Sequence, residues 1–139
     1  MSAYCRGYFM AKTGIPELQA GLYQLLNGAL SCDFYDAVPE ETDYPYAAFL
    51  DMSSLPGDAD KNADGRELIA NIVVFSDKLG FKEAGDIAEE IAVLLGDAGT
   101  PGFSISGFQI LYWSFITTVY REPDGSTRNA KIEIHISVY

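Results

Sequence analysis

One loop has the residue spacing of a calcium ligand set over its first half. Residues 60–65 run Asp-Lys-Asn-Ala-Asp-Gly, which matches the first six positions of an EF-hand loop, with oxygen ligands at one, three and five and Gly at six. The rest does not match, because Glu67 stands where an apolar residue is usual and Asn71 replaces the bidentate Glu. A strand is also predicted to follow, where an EF-hand has a helix. We therefore predict no metal site and no cofactor, and interpret the loop as a solvated acidic segment.

The remaining titratable residues do not form a catalytic pattern. His135 is the only histidine, and it lies in the polar phase of an alternating strand, so we expect an exposed side chain. With no second His and no Cys at metal-ligand spacing, we expect neither zinc ligation nor a Ser-His-Asp or Cys-His arrangement. The neighbouring acids at 40–41 and 89–90 give no reason to expect two carboxyls opposed across a cleft. The prediction is a protein that is not an enzyme, with a small-molecule-binding or enzymatic α+β domain as the less favoured alternative.

The composition predicts a globular protein that avoids nucleic acid. The chain has 139 residues, a length typical of one domain, and a net charge of −11. Such a charge opposes binding to phosphate and docking on anionic lipid. No apolar run approaches the ~20 residues that span a bilayer. Cys5 and Cys32 are interpreted as reduced thiols in the cytosol, with one disulfide as the minority alternative.

Two helices are predicted from apolar stripes at helical spacing. The first begins at Ile15-Pro16-Glu17, because Pro suits the first turn and an acid suits the positive end of the helix dipole. The second covers residues 81–95 and ends at Gly96. Between them, strands are predicted at 34–35, 46–52 and 66–76, with a long polar loop at 53–65 that is functional or disordered.

The C-terminal third is predicted to be a β-hairpin. Residues 108–120 are mostly β-branched or aromatic, and residues 131–138 alternate between polar and apolar. Asp124-Gly125 lies between these runs, and Gly125 can supply the positive φ of a tight turn. The whole pattern predicts an α+β domain over residues 15–139, with two helices on a mainly antiparallel sheet. Residues 1–14 are an extension that is either mobile or an added strand.

The first strand of this hairpin carries a candidate subunit-interface surface. Tyr112, Trp113 and Phe115 point to both faces of the strand. One phase must be core, and the other leaves an aromatic patch. That patch is either a protein interface or is covered by a helix or by the N-terminal extension.

Four segments resemble the bacteriophage tail-completion, or tail terminator, family. The resemblance extends from about Ile15 to the C-terminus, and residues 1–14 have no counterpart in it. Its last segment contains the turn residues Arg121, Asp124, Gly125 and Arg128. The four segments are Leu18-Gln19-Ala20-Gly21-Leu22-Tyr23-Gln24-Leu25-Leu26, Phe34-Tyr35-Asp36-Ala37-Val38-Pro39, Tyr44-Pro45-Tyr46-Ala47 and Arg121-Glu122-Pro123-Asp124-Gly125-Ser126-Thr127-Arg128.

The resemblance implies a non-enzymatic structural protein of the virion. Such a protein caps the head-proximal end of the tail tube as a homo-oligomeric ring, a hexamer by the same resemblance, and joins the tail to the head connector. Its partners would be itself, the tail-tube protein and the head-completion or connector protein. It would assemble in the host cytoplasm and stay in the tail of the particle, away from any membrane.

DNA would pass through such a ring without specific binding, and an acidic lumen repels phosphate. The loop acids Asp58, Asp60 and Asp64 are therefore the candidate lumen or docking residues. The alternative within the same class is another head–tail connector component, such as a head-closure protein.

Overall fold

The structure is a computed structural model, and it describes residues 12–57, 65–97 and 99–139. Two helices and seven strands follow one another along the chain in the order predicted, apart from one added two-stranded ribbon. The elements are α1 (Ile15–Leu26), β1 (Asp33–Tyr35), β2 (Tyr46–Pro56), β3 (Arg66–Ser76), α2 (Lys82–Leu95), β4 (Gly96–Asp97), β5 (Thr100–Pro101), β6 (Ile110–Arg121) and β7 (Arg128–Val138).

Five strands form one sheet in the order β1-β2-β3-β7-β6. Every pairing is antiparallel except that of β1 with β2, which is parallel. The prediction of two helices on a mainly antiparallel sheet with a C-terminal hairpin is confirmed. The parallel pair was not predicted, because no local pattern in three residues reports the direction of a partner strand.

The core lies between the helices and one face of the sheet. Because side chains alternate along a strand, each long strand sends every second residue into this layer. The helices contribute one stripe each, at a spacing of three to four residues. Fully buried large side chains include Leu18, Leu22, Leu26, Leu68, Ile72, Val74, Ile91, Leu95, Ile132, Ile134 and Ile136.

Local sequence explains where the helices begin and end. Pro16 occupies the first turn of α1, and the N–H of Leu18 donates to the carbonyl oxygen of Gly14 at 2.9 Å. Gly14 has φ 84° and Gly96, after α2, has φ 97°, a region that glycine enters without steric cost. No helix in the described part of the chain is both long and apolar enough to cross a membrane.

Strand β2 is longer than the predicted range 46–52. The polar loop was predicted to begin at Ser53, but β2 continues to Pro56 and pairs with β3 from Tyr46 to Pro56, with one register irregularity between Phe49 and Asp51. Tertiary pairing overrides the weak local signal of Ser53 and Ser54, because the strongly β-prone β3 supplies a complete ladder. Beyond the strands, the N–H of Gly57 donates to the carbonyl oxygen of Gly65 at 2.8 Å, which closes the base of the loop.

Candidate assembly surface

The five-stranded sheet has one face that no described helix covers. We call it the open face. Cross-strand partners place its residues in level rows, such as Leu55, Glu67, Ser137 and Tyr112. The open face consists of Tyr46, Ala48, Asp51, Ser53 and Leu55 on β2, Glu67, Ile69, Asn71, Val73 and Phe75 on β3, Asn129, Lys131, Glu133, His135 and Ser137 on β7, and Tyr112, Ser114, Ile116, Thr118 and Tyr120 on β6.

Polar pairs occupy the middle of the open face. The Nδ2 of Asn71 donates to Oδ1 of Asp51 at 2.7 Å, and the Oγ of Ser137 donates to Oε2 of Glu67 at 3.0 Å. His135 Nε2 lies 2.7 Å from Oε2 of Glu133. These pairs satisfy groups that neighbouring strands partly shield from water, although the Oδ1 of Asn71 is buried without a hydrogen-bond partner in the described residues. The middle of the open face is therefore hydrophilic.

His135 lies where the alternation predicted, on the polar phase of β7, and its side chain is 43% exposed. Its Nε2 contacts Glu133, two residues away on the same strand face. Within residues 12–57, 65–97 and 99–139, no three His, Cys, Asp or Glu side chains converge as metal ligands. His135 therefore has a carboxylate hydrogen-bond partner, and its direct neighbours across the sheet are Ile69 and Ser114.

The structure separates the three residues of the candidate subunit interface. Trp113 is 5% exposed and points into the core, where its ring lies 5.2 Å from that of Phe103 in an edge-to-face contact. Phe115 stacks on Trp113 at 5.8 Å between ring centroids and is partly buried. Tyr112 points to the open face and is 64% exposed. Of the three, Tyr112 alone presents its ring to a partner, and its interface role stays a prediction.

An aromatic cluster at the β1–β2 side of the sheet was not predicted. The ring of Tyr46 stacks on Phe75 at 4.8 Å and meets Tyr35 and Tyr44 at 6.0 and 5.7 Å. Burial raises the pKa of Tyr46, with a further contribution from Tyr44. The sequence signal was the Tyr44-Pro45-Tyr46 segment, but the contact with Phe75 depends on strand pairing and is invisible in the sequence. Rigid tyrosines are common energetic centres of protein interfaces.

The predicted turn is present between β6 and β7. Gly125 has φ 78°, and its N–H donates to the carbonyl oxygen of Glu122 at 2.8 Å. Oδ1 of Asp124 accepts a hydrogen bond from the N–H of Ser126 at 2.9 Å, and this bond lowers the pKa of Asp124. The turn residues thus stabilise the hairpin itself.

The two arginines of the family segment flank this turn. Arg121 is paired with Arg128 across the hairpin. The guanidinium of Arg128 donates to the carbonyl oxygen of Gly125 at 3.2 Å and lies 5.8 Å from the ring centroid of Phe81. Arg128 therefore connects the turn to the start of α2, while the exposed Arg121 remains available to a partner.

The loop acids Asp58, Asp60 and Asp64 lie outside the described residues, as do Cys5 and the residues before Lys12. Charge is nevertheless unevenly distributed over the part that is described. Residues 12–57 contain seven acids and one Lys, whereas residues 103–139 contain three acids and three Lys or Arg. The β1–β2 side of the sheet is thus strongly acidic, and the β6–β7 side is balanced.

A family model described as Tail completion protein gp17 matches residues 19–139. The chain belongs to this tail completion family. The match begins inside α1 and includes every strand of the sheet. The resemblance inferred from the four sequence segments is therefore confirmed, and the chain is a structural tail protein of a phage or phage-like particle.

Solved structures contain the same fold. The chain is similar to one in the "Virion of native gene transfer agent (GTA) particle", with 21% identity, 91% of each chain covered and a TM-score of 0.63. At this identity the likeness establishes a shared fold. A comparison with curated protein sequences gives no significant match.

An open groove lies beside α2. Its volume is about 640 Å³, and its lining includes Ser31, Leu79, Lys82 and Glu90. The Lys82 ammonium pairs with Asp86 at 3.1 Å in the exposed i,i+4 geometry, which contributes little to stability. The lining mixes charges of both signs and has no convergent set of polar groups, so the geometry does not indicate a small-molecule site.

Proposed function

We propose that this chain caps the head-proximal end of the tail tube as a closed ring and joins the tail to the head connector, without catalysis. The observation that carries the proposal is the family match over residues 19–139. The similar chain of known structure comes from a virion, which agrees with a place in an assembled tail. The proposed partners are further copies of this chain, the tail-tube protein and a connector protein.

The charge supports passage of DNA through such a ring. A net charge of −11 per subunit repels phosphate and keeps the ring from retaining the DNA that crosses it. The same charge makes subunits repel each other in dilute solution. We therefore propose that the isolated chain is a monomer or weak oligomer and that contacts with the tail tube offset the repulsion when the ring closes.

Deletion of the gene from the phage or prophage that carries it tests this function. We expect tails of uncontrolled length that do not join heads, seen by electron microscopy, and restoration by the wild-type gene supplied on a plasmid. A head-closure protein would give a different result, with tails of normal length beside filled heads that lack tails. Tails of normal length that join heads would refute both roles.

A further inference from the structure

The sheet ends in two edges that are unusually suited to pairing. Strand β6 forms one edge and runs for 12 residues. From Ile110 to Tyr120 it contains no charged residue and no proline. Natural edge strands are normally protected by charges, proline, bulges or short length. β6 has one register irregularity, between Ile110 and Tyr112, and its ladder with β7 is unbroken from Tyr112 to Arg121, so this stretch is a site for strand addition. Its exposed large apolar side chains are Leu111, Tyr112 and Ile116.

The opposite edge is only partly covered. β1 pairs with β2 at residues 46–48 alone, so no described strand lies beside residues 49–56 on that side. Leu50 and Leu55 on this stretch are 56% and 49% exposed. This stretch also contains Asp51, Pro56, which has no N–H, and a register irregularity between Phe49 and Asp51. Each edge nevertheless combines available backbone groups with large exposed apolar side chains, and the two edges lie on opposite sides of one sheet.

We infer that these two edges bind each other between copies, so that residues 49–56 of one subunit pair with residues 110–117 of the next and the sheet continues around the ring. Beyond Thr117 the neighbour's β6 must diverge from this edge, because β1 already occupies the place beside residues 46–48. The inference rests on the proposed ring. Contact between different surfaces on neighbouring copies is the head-to-tail geometry that closed rings need.

The topology fixes the direction of this pairing. Three antiparallel steps separate β2 from β6, so the two strands run in opposite directions within a subunit. A copy generated by rotation about an axis parallel to the strands keeps those directions. Its β2 edge therefore meets β6 as an antiparallel partner, and antiparallel pairs are slightly the more stable kind.

The cross-strand rows of the open face also predict which residues of the two edges lie opposite each other. Leu55 and Tyr112 belong to one row of the open face, so rotation without axial shift places Leu55 of one copy beside Tyr112 of its neighbour. Both side chains are exposed in the subunit, at 49% and 64%, and an aromatic–aliphatic pair would bury them together.

Charge complementarity favours a second copy as the occupant. The acids of residues 36–43 adjoin β1 at the end of the sheet where β6 ends in Arg121. When the edges meet, this acidic segment faces the exposed Arg121 of the neighbour. Residues 12–57 hold seven acids and one Lys, whereas Arg121, Arg128 and Lys131 lie on the β6–β7 side of the sheet.

Disulfide trapping tests the pairing. In a background of Cys5→Ser and Cys32→Ser, the variant Leu55→Cys with Tyr112→Cys is built into particles, which are purified and oxidised. Within a subunit the two positions are three strand spacings apart, roughly 14 Å, which is too far for a disulfide. A band above the monomer on a non-reducing gel must therefore join two copies, and we expect a ladder.

The matched control keeps Leu55→Cys but places the second cysteine at position 79, as Leu79→Cys. Leu79 is 89% exposed and lies at the opposite end of the sheet. This control should stay monomeric. A monomeric Leu55→Cys, Tyr112→Cys variant in particles that join heads normally would refute the edge pairing and leave the proposed function intact. A gene deletion without effect would refute the proposed function, and the pairing with it.

Charge substitutions provide a second measurement that does not depend on oxidation. Leu55→Lys combined with Tyr112→Lys places like charges at facing positions, so incorporation into particles should be lost. Leu55→Glu combined with Tyr112→Lys should restore it. Equal incorporation of both double variants, with equal circular dichroism spectra, would overturn the inference.

Discussion

Glu90 on α2 holds Ser31 through both of its carboxylate oxygens. The backbone N–H of Ser31 donates to Oε1 and its Oγ donates to Oε2, each at 2.8 Å. The two residues are 59 positions apart, so this bidentate contact connects α2 to the segment between α1 and β1. It fixes the segment that leads into β1, the short strand that pairs with residues 46–48 at the edge of β2.

Removing this contact should lower stability modestly. Glu90→Ala is expected to reduce the free energy of unfolding by about 1 kcal/mol, since water competes for exposed groups and the net value of such bonds is small. Urea denaturation followed by circular dichroism measures it. Glu89→Ala, at an exposed position on the same helix, is the control, and equal losses in the two variants would show that the contact contributes nothing.

Two helical glycines should respond to alanine in opposite ways. A Cβ on Gly21 would overlap the backbone carbonyl oxygen of Ser104, whereas a Cβ on Gly85 meets no atom within 4 Å. Gly85→Ala should raise the free energy of unfolding by about 0.5–1 kcal/mol, because alanine loses less backbone entropy in a helix. Gly21→Ala should lower it, because the loop around Ser104 must move away. Thermal unfolding compares the pair, and a gain in both would refute the close approach.

These glycines also show how far sequence reasoning can reach. Both stand at similar places in predicted helices, and nothing in the neighbouring residues separates them. The distinction arises from a loop more than 80 positions away in the case of Gly21. Local patterns predicted both helices, the full extent of β3 and the turn at Gly125, because periodicity and turn chemistry act over a few residues.

What the sequence could not predict depends on tertiary pairing. The parallel partner of β1 and the stacking of Tyr46 on Phe75 follow from strand order, which no single segment encodes. The candidate interface was predicted on β6 and stays a prediction. The assignment of Tyr112 to the open face and of Trp113 to the core required the register, since one step along a strand reverses every side chain.

The thiol of Cys32 should react slowly. Burial, and then the carboxylates of Glu90, Asp33 and Glu83, raise its pKa from 9.0 to about 11. A raised pKa leaves less thiolate at pH 8, roughly 100-fold less than for an ordinary thiol, and the thiolate is the form that reacts. In a Cys5→Ser background, alkylation by iodoacetamide should be slow at pH 8 and accelerate as the pH rises toward 11.

The same variant unfolded in urea provides the reference for this rate. Unfolding removes both the burial and the fixed carboxylates, so the thiol should then react with ordinary speed at pH 8. A native rate within a few-fold of the unfolded rate would mean that Cys32 ionises freely in the folded protein.

The indole of Trp113 should matter through its volume more than through its N–H group. Its Nε1 is buried and has no hydrogen-bond partner in the described structure, so its desolvation is not compensated. Trp113→Phe removes that group together with part of the ring, and these effects oppose each other. We expect Trp113→Phe to lower the free energy of unfolding by about 1 kcal/mol, against ~3–5 kcal/mol for Trp113→Ala, which empties the space beside Phe103.

Circular dichroism in urea is the suitable probe, because both variants lack the chain's one tryptophan. Tyr112→Phe, on the exposed side of the same strand, should change stability by less than about 0.5 kcal/mol. A loss for Trp113→Phe as large as that for Trp113→Ala would show that the N–H does have a partner.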